Sequence, residues 1–353
     1  MLTALDRGVP DRLPASVHDW MPFWLETYLG GASKVEAFER FGLDWSLYRW
    51  RWRLDEKGLD NWKYERKTIS PPMMEKVEQI TIVTPRKTFR QVWKWDQYLT
   101  HWTTEFLLKE PEDIFIYCRY HPVEIFDLEY ERESMEMVGD RGILRGGREG
   151  PWHKLCELYG VQKMIVACME SPDWVHDAMH TITELELKSI ETMRGCVTDL
   201  FETGGGHNSS TVISPDIFRE FILPHEQRIH SLLRQIGVRS VYHTCGGMMP
   251  ILDLLLEIGA DAHETLTPPS MGGDVDLAEI KRRVGDKVAL IGGFDQYNGF
   301  ERATPAQTRE HVRRCFETAG VGGAYIMNPS DHFFDAPVEN VEAYADEARK
   351  CVY

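Results

Sequence analysis

The sequence predicts an α/β protein, a (β/α)8 TIM barrel with an aromatic-rich elaboration near the N-terminus. From about residue 140 onward, short apolar runs typical of buried strands alternate regularly with amphipathic helices. This alternation indicates a parallel sheet covered by helices. About eight such units in 353 residues suit a closed barrel better than an open, doubly wound sheet, which is the alternative. We expect residues 1–353 to form one barrel domain.

Aromatic residues are concentrated in the N-terminal part of the chain. Nine of the eleven tryptophans lie within the first 102 residues. We predict an inserted Trp-rich subdomain at about residues 45–125, in which two alternating runs form a hairpin around a turn at 84–86. The rings either pack this subdomain or form an apolar wall over a pocket, and the two roles are compatible. Trp20, Trp24 and Trp45 are the candidates for a substrate-binding wall.

Two Ser-Pro-Asp sequences, beginning at Ser171 and Ser214, indicate the starts of long helices. Serine can cap a helix, proline fits the first turn, and aspartate favours the positive end of the helix. The predicted strands of the barrel's later units are GILRGG, VTDLFET, SVYHT, DAHETL, KVALIGG and GAYIMN. Each is followed by a predicted helix.

Composition and charge exclude several classes of protein. The chain has 40 basic and 56 acidic residues, and its net charge of −16 argues against binding to nucleic acid or to an anionic membrane. We find no apolar run long enough to span a membrane, no secretory signal at the N-terminus and no phosphate-binding loop. The seven scattered cysteines do not form a disulfide framework, so we expect a reduced, cytoplasmic protein.

Polar side chains follow five successive predicted strands. Because the carboxyl ends of barrel strands meet at one rim, where active sites are built, we predict one shared functional site. The residues concerned are Glu202, His207, His243, Cys245, His263, Glu264, Asp295, Asn328, Ser330, Asp331 and His332. Among them, Glu202 and Glu264 are candidate catalytic carboxylates and His207 is a candidate for substrate binding.

His243 and Cys245 are the most informative pair. Residues two apart on a strand point to the same side, and an imidazole and a thiolate that face one pocket make half of a tetrahedral zinc site. The spacing also fits a buried cysteine beside a hydrogen-bonded histidine. A third ligand would come from another strand end, where Glu202, Asp331 and His332 are of suitable type.

Asp44, in the segment FGLDW, is a further candidate catalytic residue. It is either an acid in the pocket or a residue of a turn, and the local sequence fits both. Asp295 follows two glycines and is more typical of a helix cap, and His225 lies on a predicted helix, where a structural role is favoured.

Several segments resemble the uroporphyrinogen decarboxylase superfamily. The most specific are YHTCGGMMPILDLLLEIGADA, LAEIKRRVGDKVALIGGFD and GGAYIMNPSDHFFDAPVENVEA, and the resemblance extends to the RGVPDRLP opening and thus over nearly the whole chain. It implies a (β/α)8 barrel. The superfamily includes decarboxylases and zinc-dependent methyltransferases that work with corrinoid proteins.

The methyltransferase branch is the closer match. There a His-x-Cys pair on the corresponding strand supplies two zinc ligands, matching His243 and Cys245, and a cysteine of the last barrel strand supplies a third. This sequence reads NPSDH at that place, so the resemblance implies Asp331, His332 or Glu202 as the third ligand. It also implies zinc as the cofactor, and a corrinoid (cobalamin) carried by a partner protein.

The decarboxylase branch binds the carboxylates of its substrate through an arginine-rich N-terminal segment and uses an aspartate at the pyrrole. Asp44 resembles that aspartate in position, but HDWMPFWLETYLGG replaces the arginine-rich segment. Ser330 stands where the late histidine of that branch is expected, with His332 nearby. The cations still able to hold an anion are Arg49, Arg51 and Arg53.

We therefore predict a zinc-dependent methyltransferase that moves a methyl group between a small substrate, aromatic or methoxylated among the options, and a corrinoid protein or thiol. The alternative is metal-free decarboxylation of the kind used in tetrapyrrole (porphyrin) biosynthesis, with Asp44 as the proton relay and His332 assisting. A third interpretation is a barrel that binds a small molecule or a corrinoid protein without turnover. A homodimer is compatible with each of them.

Overall fold

A curled parallel sheet forms the centre of the protein, in a computed structural model that describes residues 1–71 and 75–353. The strands are β1 (Trp45–Tyr48), β2 (Trp52–Leu54), β3 (Lys63–Thr68), β4 (Val77–Val83), β5 (Thr88–Trp95), β6 (His101–Glu105), β7 (Glu124–Phe126), β8 (Gly142–Gly147), β9 (Leu200–Gly204), β10 (Arg239–His243), β11 (Ala262–Thr265), β12 (Ala289–Phe294) and β13 (Tyr325–Pro329). Seven of them pair in parallel, in the order β1-β8-β9-β10-β11-β12-β13.

The helices alternate with the parallel strands from β8 onward, as the sequence predicts. They are α1 (Leu2–Leu5), α2 (Pro22–Leu29), α3 (Lys34–Phe41), α4 (Asp113–Tyr120), α5 (Leu128–Val138), α6 (Pro151–Tyr159), α7 (Val161–Glu170), α8 (Pro172–Glu191), α9 (Pro215–Ile217), α10 (Leu223–Ile236), α11 (Leu252–Ile258), α12 (Leu277–Val284), α13 (Pro305–Cys315) and α14 (Val338–Ala348). None of the helices in the described ranges has the length and apolarity that a membrane crossing requires.

Both helix starts predicted from Ser-Pro-Asp are confirmed. Helix α8 begins at Pro172 and α9 at Pro215. The Ser214 hydroxyl accepts a hydrogen bond from the backbone N–H of Ile217 at 3.2 Å, whereas Ser171 makes no side-chain cap bond. A π-helical turn at Phe218–Ile222 joins α9 to α10.

The sheet has seven ladder strands where eight were expected. Residues 14–16 take the eighth place as an extended segment with one isolated bridge, between Ala15 and Met327 of β13. Met327 N–H donates to the carbonyl of Pro14 at 2.9 Å, and Asp44 N–H, next to β1, donates to the carbonyl of Ala15 at 3.0 Å. Segment 14–16 therefore connects the two edges of the sheet. Because Pro14 has no N–H group, a longer ladder cannot form there.

Apolar residues fill the interior of the sheet at its N-terminal end. Helix α1 contributes Ala4 and Leu5 to this buried cluster. The strand members of the cluster are Ile143, Leu200, Val241, Ala262, Ala289, Ile291 and Ile326. The N-terminal end of the sheet is thus sealed, and the C-terminal ends of the strands are left for polar side chains.

A separate four-stranded antiparallel sheet, in the order β3-β4-β5-β6, lies between β2 and α4 in the chain. The predicted hairpin is confirmed, with β4 and β5 joined by a turn in which Lys87 N–H donates to the hydroxyl of Thr84 at 3.1 Å. The sequence predicts the insertion at about residues 45–125. Strand β1 at the start of that range pairs with β8, so the antiparallel part begins after it.

Glu226 on α10 is a fully buried acid close to β9. Its Oε2 lies 3.4 Å from the hydroxyl of Thr203 and 3.9 Å from Nε2 of His230. Burial raises the pKa of Glu226 to about 8. The folded protein therefore holds the proton of this carboxyl more tightly than the unfolded chain does, in which the usual pKa is 4.5.

This raised pKa predicts a specific pH dependence of stability. Between pH 4.5 and about 8 the native state binds more protons at Glu226 than the unfolded state, so stability falls as pH rises. The loss approaches about 1.4 kcal/mol per pH unit. Glu226→Gln should remove this slope and be more stable than wild type at pH 8, as measured by urea unfolding at several pH values.

Glu257→Gln is the matched control, because Glu257 is exposed on neighbouring α11. It should leave the pH profile of the wild type unchanged. Parallel stability curves for wild type and Glu226→Gln across this range would contradict the assignment.

Candidate active site

Four neighbouring strands, β8 to β11, carry an apolar residue and, two positions later, a charged or ionisable residue that faces the same side of the sheet. The pairs are Ile143 and Arg145, Leu200 and Glu202, Val241 and His243, and Ala262 and Glu264. The apolar members belong to the sealed cluster, so the ionisable members form the next layer, toward the carboxyl ends of the strands.

Arg145 is the cation of this layer, with a side chain that is 1% exposed. Its Nη2 donates to Oε2 of Glu264 at 2.8 Å and to Oε2 of Glu202 at 3.1 Å. Burial, followed by the neighbouring Glu264, raises the pKa of Glu202 to about 7. The Tyr48 hydroxyl at the end of β1 donates a short hydrogen bond to Glu202. Glu202 can therefore hold or release a proton near neutral pH.

His243 connects this layer to Cys245. Its Nδ1 lies 3.0 Å from Oε1 of Glu264, and its Nε2 lies 2.9 Å from Sγ of Cys245. Burial alone would raise the pKa of Glu264, but Arg145, His18 and His243 hold it well below its usual range. Because an ionised carboxylate only accepts hydrogen bonds, Nδ1 of His243 carries the proton. The other ring nitrogen is thereby directed at the sulfur.

The thiol and imidazole of this pair influence each other. Burial would lower the pKa of His243, but Cys245 and Glu202 raise it well above its usual value. Burial raises the pKa of Cys245, and the neighbouring Asp331 raises it further, whereas His243 lowers it. The thiolate form of Cys245 is thus favoured by His243 and opposed by its surroundings.

The structure brings most of the predicted site residues together. The ligand atoms of His18, Glu202, His243 and Glu264 all lie within 4.8 Å of one another, a spacing that could hold a metal ion. Cys245 joins them through His243, and Asp331 lies beside Cys245. The ring of His332 lies 4.9 Å from the ring of His18, between centroids.

Three residues of the site escaped the sequence analysis, namely Arg145, Tyr48 and His18. Arg145 had a detectable signal, because a charged residue in the middle of the apolar strand GILRGG has to find a buried partner. His18 follows segment 14–16, which has too few strand features to be recognised, and Tyr48 ends β1 among many other aromatic residues.

Asp44 is not brought to this site. It precedes β1 and therefore lies at the opposite, N-terminal end of that strand from Tyr48. Its carboxylate accepts hydrogen bonds from Arg12 at 2.7 and 2.9 Å and from the backbone N–H of Ala15 at 3.0 Å. These contacts give Asp44 a structural role in holding segment 14–16 against β1.

The three tryptophans expected to line the pocket are buried in the core instead. Trp20 stacks on Trp24 with ring centroids 5.2 Å apart, and Trp24 donates its indole N–H to the carbonyl of Ala336 at 2.8 Å. Trp45 packs against Phe38 of α3. Their positions follow from the packing of α2 and α3, which short-range sequence patterns do not specify.

A cleft at the carboxyl ends of the strands takes the place of the predicted pocket. It consists of two adjoining cavities of about 600 Å³ and about 430 Å³. The residues that line both are His18, Tyr48, Trp50, Glu202 and His332. Trp52 and His243 also line the smaller cavity, so its aromatic wall comes from β1, β2 and the residues between them.

His207 is held against helix α6. Its Nε2 is 2.9 Å from Oε1 of Glu157 on α6, and its ring stacks on the ring of His153. His153 lines the smaller cavity. His207 is therefore next to the cleft, in contact with a residue that lines it.

The fold and the ionisable layer at the strand ends define a class of enzymes related to TIM barrels, with their chemistry at the carboxyl ends of parallel strands. Within that class, the family model for uroporphyrinogen decarboxylase (URO-D) matches residues 119–351. The chain belongs to the uroporphyrinogen decarboxylase family.

Curated relatives carry two different activities in their names. A methylated-thiol–coenzyme M methyltransferase of Methanosarcina mazei is 27% identical over 53% of this chain and 47% of its own length. A methylcobamide:CoM methyltransferase of Methanosarcina barkeri is 27% identical over 45% and 44%. A uroporphyrinogen decarboxylase of Neisseria meningitidis is 30% identical over 43% and 42%. The chain spans about half the length of these relatives or less.

Solved structures support the fold. A methyltransferase from Methanosarcina mazei aligns with a TM-score of 0.67 at 17% identity, covering 99% of this chain and 97% of that one. A B12-independent methionine synthase from a Shewanella species aligns with a TM-score of 0.50 at 11% identity, over 96% and 98%. Both likenesses extend over nearly all of the chain.

The central ion cluster predicts a large loss of stability on removal of its cation. Arg145→Met leaves the carboxylates of Glu202 and Glu264 buried without the counter-charge of the arginine, so the free energy of unfolding should fall by about 3–5 kcal/mol. Arg239→Met is the control, because the Arg239–Asp6 pair is partly exposed and should cost less than about 1 kcal/mol. Similar losses in the two variants, measured by denaturant unfolding, would argue against the cluster as described.

Proposed function

We propose that this protein is a zinc-dependent methyltransferase that moves a methyl group between a small substrate and a corrinoid carried by a partner protein. The observation that carries the proposal is the contact between Nε2 of His243 and Sγ of Cys245, 2.9 Å apart, with Nδ1 held by Glu264. The names of two curated relatives, which specify methyl transfer to coenzyme M, support the same reaction class.

The residues at this place fit zinc. Imidazole nitrogen and thiolate sulfur are the donors that zinc prefers. A carboxylate on the far ring nitrogen is the arrangement that orients a metal-binding histidine, and Glu264 occupies that position at 3.0 Å. Asp331 beside Cys245 is our first choice for the third ligand, with Glu202 and His332 as the other candidates. When bound, zinc would keep a substrate thiol ionised near neutral pH.

The protein's own groups divide the remaining work. Glu264 is a positioning residue, since it fixes the orientation of His243 and is itself held by Arg145. A substrate thiol loses its proton when it becomes a thiolate, and Glu202, which lines both cavities and has a pKa of about 7, is the group that accepts this proton. The wall of Tyr48 and Trp50 gives the substrate an apolar surface to bind.

Most cations that line the cleft are paired with acids, whereas Arg49 in the larger cavity donates to the hydroxyl of Ser134 at 3.0 Å. Arg148 pairs with Glu124 and Glu186, and Lys154 pairs with Glu149. Cations neutralised in this way are poorly available to a polyanion. The cleft therefore suits a small thiol or methylated compound, aromatic or methoxylated among the options, better than a porphyrinogen with many carboxylates.

Zinc content and methyl transfer test the proposal directly. His243→Ala/Cys245→Ala should contain one zinc fewer per chain than wild type, by elemental analysis. Its methyl transfer from methylcobalamin to a panel of small thiols, followed by the visible absorbance of the corrinoid, should fall by more than about 100-fold, because changes around a metal ligand alone cost about 10–100-fold. The rate of methyl transfer by Glu264→Gln should fall by about 10–100-fold.

Cys196→Ala is the control for the cysteine change, because Cys196 packs against a different part of the core. It should keep both zinc and activity. Folded His243→Ala/Cys245→Ala with wild-type zinc content and rate would overturn the proposal.

The alternative is decarboxylation with Asp44 as the proton relay. It predicts that Asp44→Asn loses activity, whereas the methyltransferase proposal predicts that Asp44→Asn remains active. Asp44 lies away from the cleft and is held by Arg12, so Asp44→Asn should leave methyl transfer unchanged. It should lower the free energy of unfolding by about 1–3 kcal/mol through its lost hydrogen bonds. If folded Asp44→Asn instead abolished carbon dioxide release from uroporphyrinogen by an otherwise active protein, the decarboxylase assignment would be preferred.

A further inference from the structure

A second cluster of metal-binding side chains lies next to the cleft, apart from the His243–Cys245 pair. His153 and Glu157 are four residues apart on α6, and His207 follows β9 in a 3₁₀ turn. One ligand atom from each lies within 4.8 Å of the other two. Nε2 of His207 is 2.9 Å from Oε1 of Glu157, and the two imidazole rings stack at 4.6 Å with an interplanar angle of 19°.

The backbone is shaped to allow this approach. Gly205 has a φ of +139°, and a Cβ added to it would lie 2.5 Å from Cγ and Nδ1 of His153. Any other residue would therefore displace the imidazole. The indole N–H of Trp152 donates to the carbonyl of His207 at 3.1 Å, which holds the turn in place. The three consecutive glycines, 204–206, thus bring His207 to the face of α6.

The donor set defines the kind of cation. Residues four apart on a helix lie on one face, so His153 and Glu157 can bind the same metal ion. Two imidazoles and one carboxylate are ligands of zinc-type divalent cations, and such three-residue sets leave a coordination position open. Hard cations such as magnesium and calcium prefer oxygen ligands and are not favoured here.

We propose that His153, Glu157 and His207 form a second binding site for a zinc-type divalent cation, on the wall of the cleft that His243 also lines. His153 lines the smaller cavity together with His243 and Glu202, which places the second site beside the first. The second site does not depend on the proposed methyl transfer, because none of its three ligands is His243 or Cys245.

Metal titration of the full chain separates the two sites. Protein stripped with a chelator should bind two equivalents of Co²⁺. His243→Ala/Cys245→Ala should bind one, without the sulfur-to-cobalt charge-transfer absorption that the Cys245 site should give. His153→Ala/His207→Ala should also bind one, with that absorption retained. A variant that combines all four substitutions should bind none.

A matched control is available on α8, where His176 and His180 are also four residues apart and lie beside acids, but are largely exposed. His176→Ala/His180→Ala should keep both equivalents. Glu157→Gln, which preserves the shape of the side chain, should weaken binding at the second site and reduce the Zn²⁺-dependent rise in melting temperature of His243→Ala/Cys245→Ala protein.

Two outcomes would overturn the second site. One is the absence of metal binding by folded His243→Ala/Cys245→Ala protein. The cluster would then be only a hydrogen bond between His207 and Glu157, with the ring of His153 stacked on that of His207. The other is binding in that background that persists after His153→Ala/His207→Ala. Neither result bears on zinc at His243 and Cys245, so failure of the proposed function remains distinguishable.

Discussion

The placement of one buried guanidinium determines the chemistry of the whole cleft. Arg145 neutralises two acids in the interior of the sheet, where an unpaired carboxylate is strongly disfavoured. Its stronger contact keeps Glu264 ionised, and Glu264 then fixes which nitrogen of His243 carries a proton. As a result, Nε2 is the ring nitrogen that faces Cys245. Glu202 makes the longer contact with Arg145, and burial, followed by the neighbouring Glu264, raises its pKa to about 7. A proton acceptor and a potential metal ligand therefore originate from the same ion cluster.

The sequence pattern was a good guide to the sheet and a partial guide to the site. Parallel strands are buried on both faces, so they appear as short apolar runs, and the six runs predicted from GILRGG to GAYIMN all correspond to strands. Because the carboxyl ends of these strands meet, Glu202, His243 and Glu264 could be grouped from the order of the amino acids alone. Segment 14–16 could not be recognised, since a single isolated bridge leaves no periodic pattern. The same limit explains Trp20, whose ring packs against Phe333, a residue that is distant in the sequence.

Two compatible roles explain the glycines at 204–206, at the end of β9: they allow a tight turn, and they allow another group to approach the backbone closely. In the structure the turn brings one side chain, His207, against α6, and the close approach is made by His153. Side chains of the protein itself thus account for both the tight turn and the close approach. As a result, the cleft has histidines on two of its sides, one set attached to the strand ends and the other to a helix. A change that disturbs one set should leave the other in place, because the two sets are held by different backbone elements.

The connection made by residues 14–16 also has a consequence for biosynthesis. The segment is translated before all seven strands of the sheet, yet one of its two partners, β13, is the last of those strands to leave the ribosome. The seam of the sheet can therefore close only when all seven strands have emerged. Such sequence-distant contacts slow folding, and the nascent chain would expose an open sheet edge in the meantime. Closure of the sheet thus has to wait for the synthesis of its last strand.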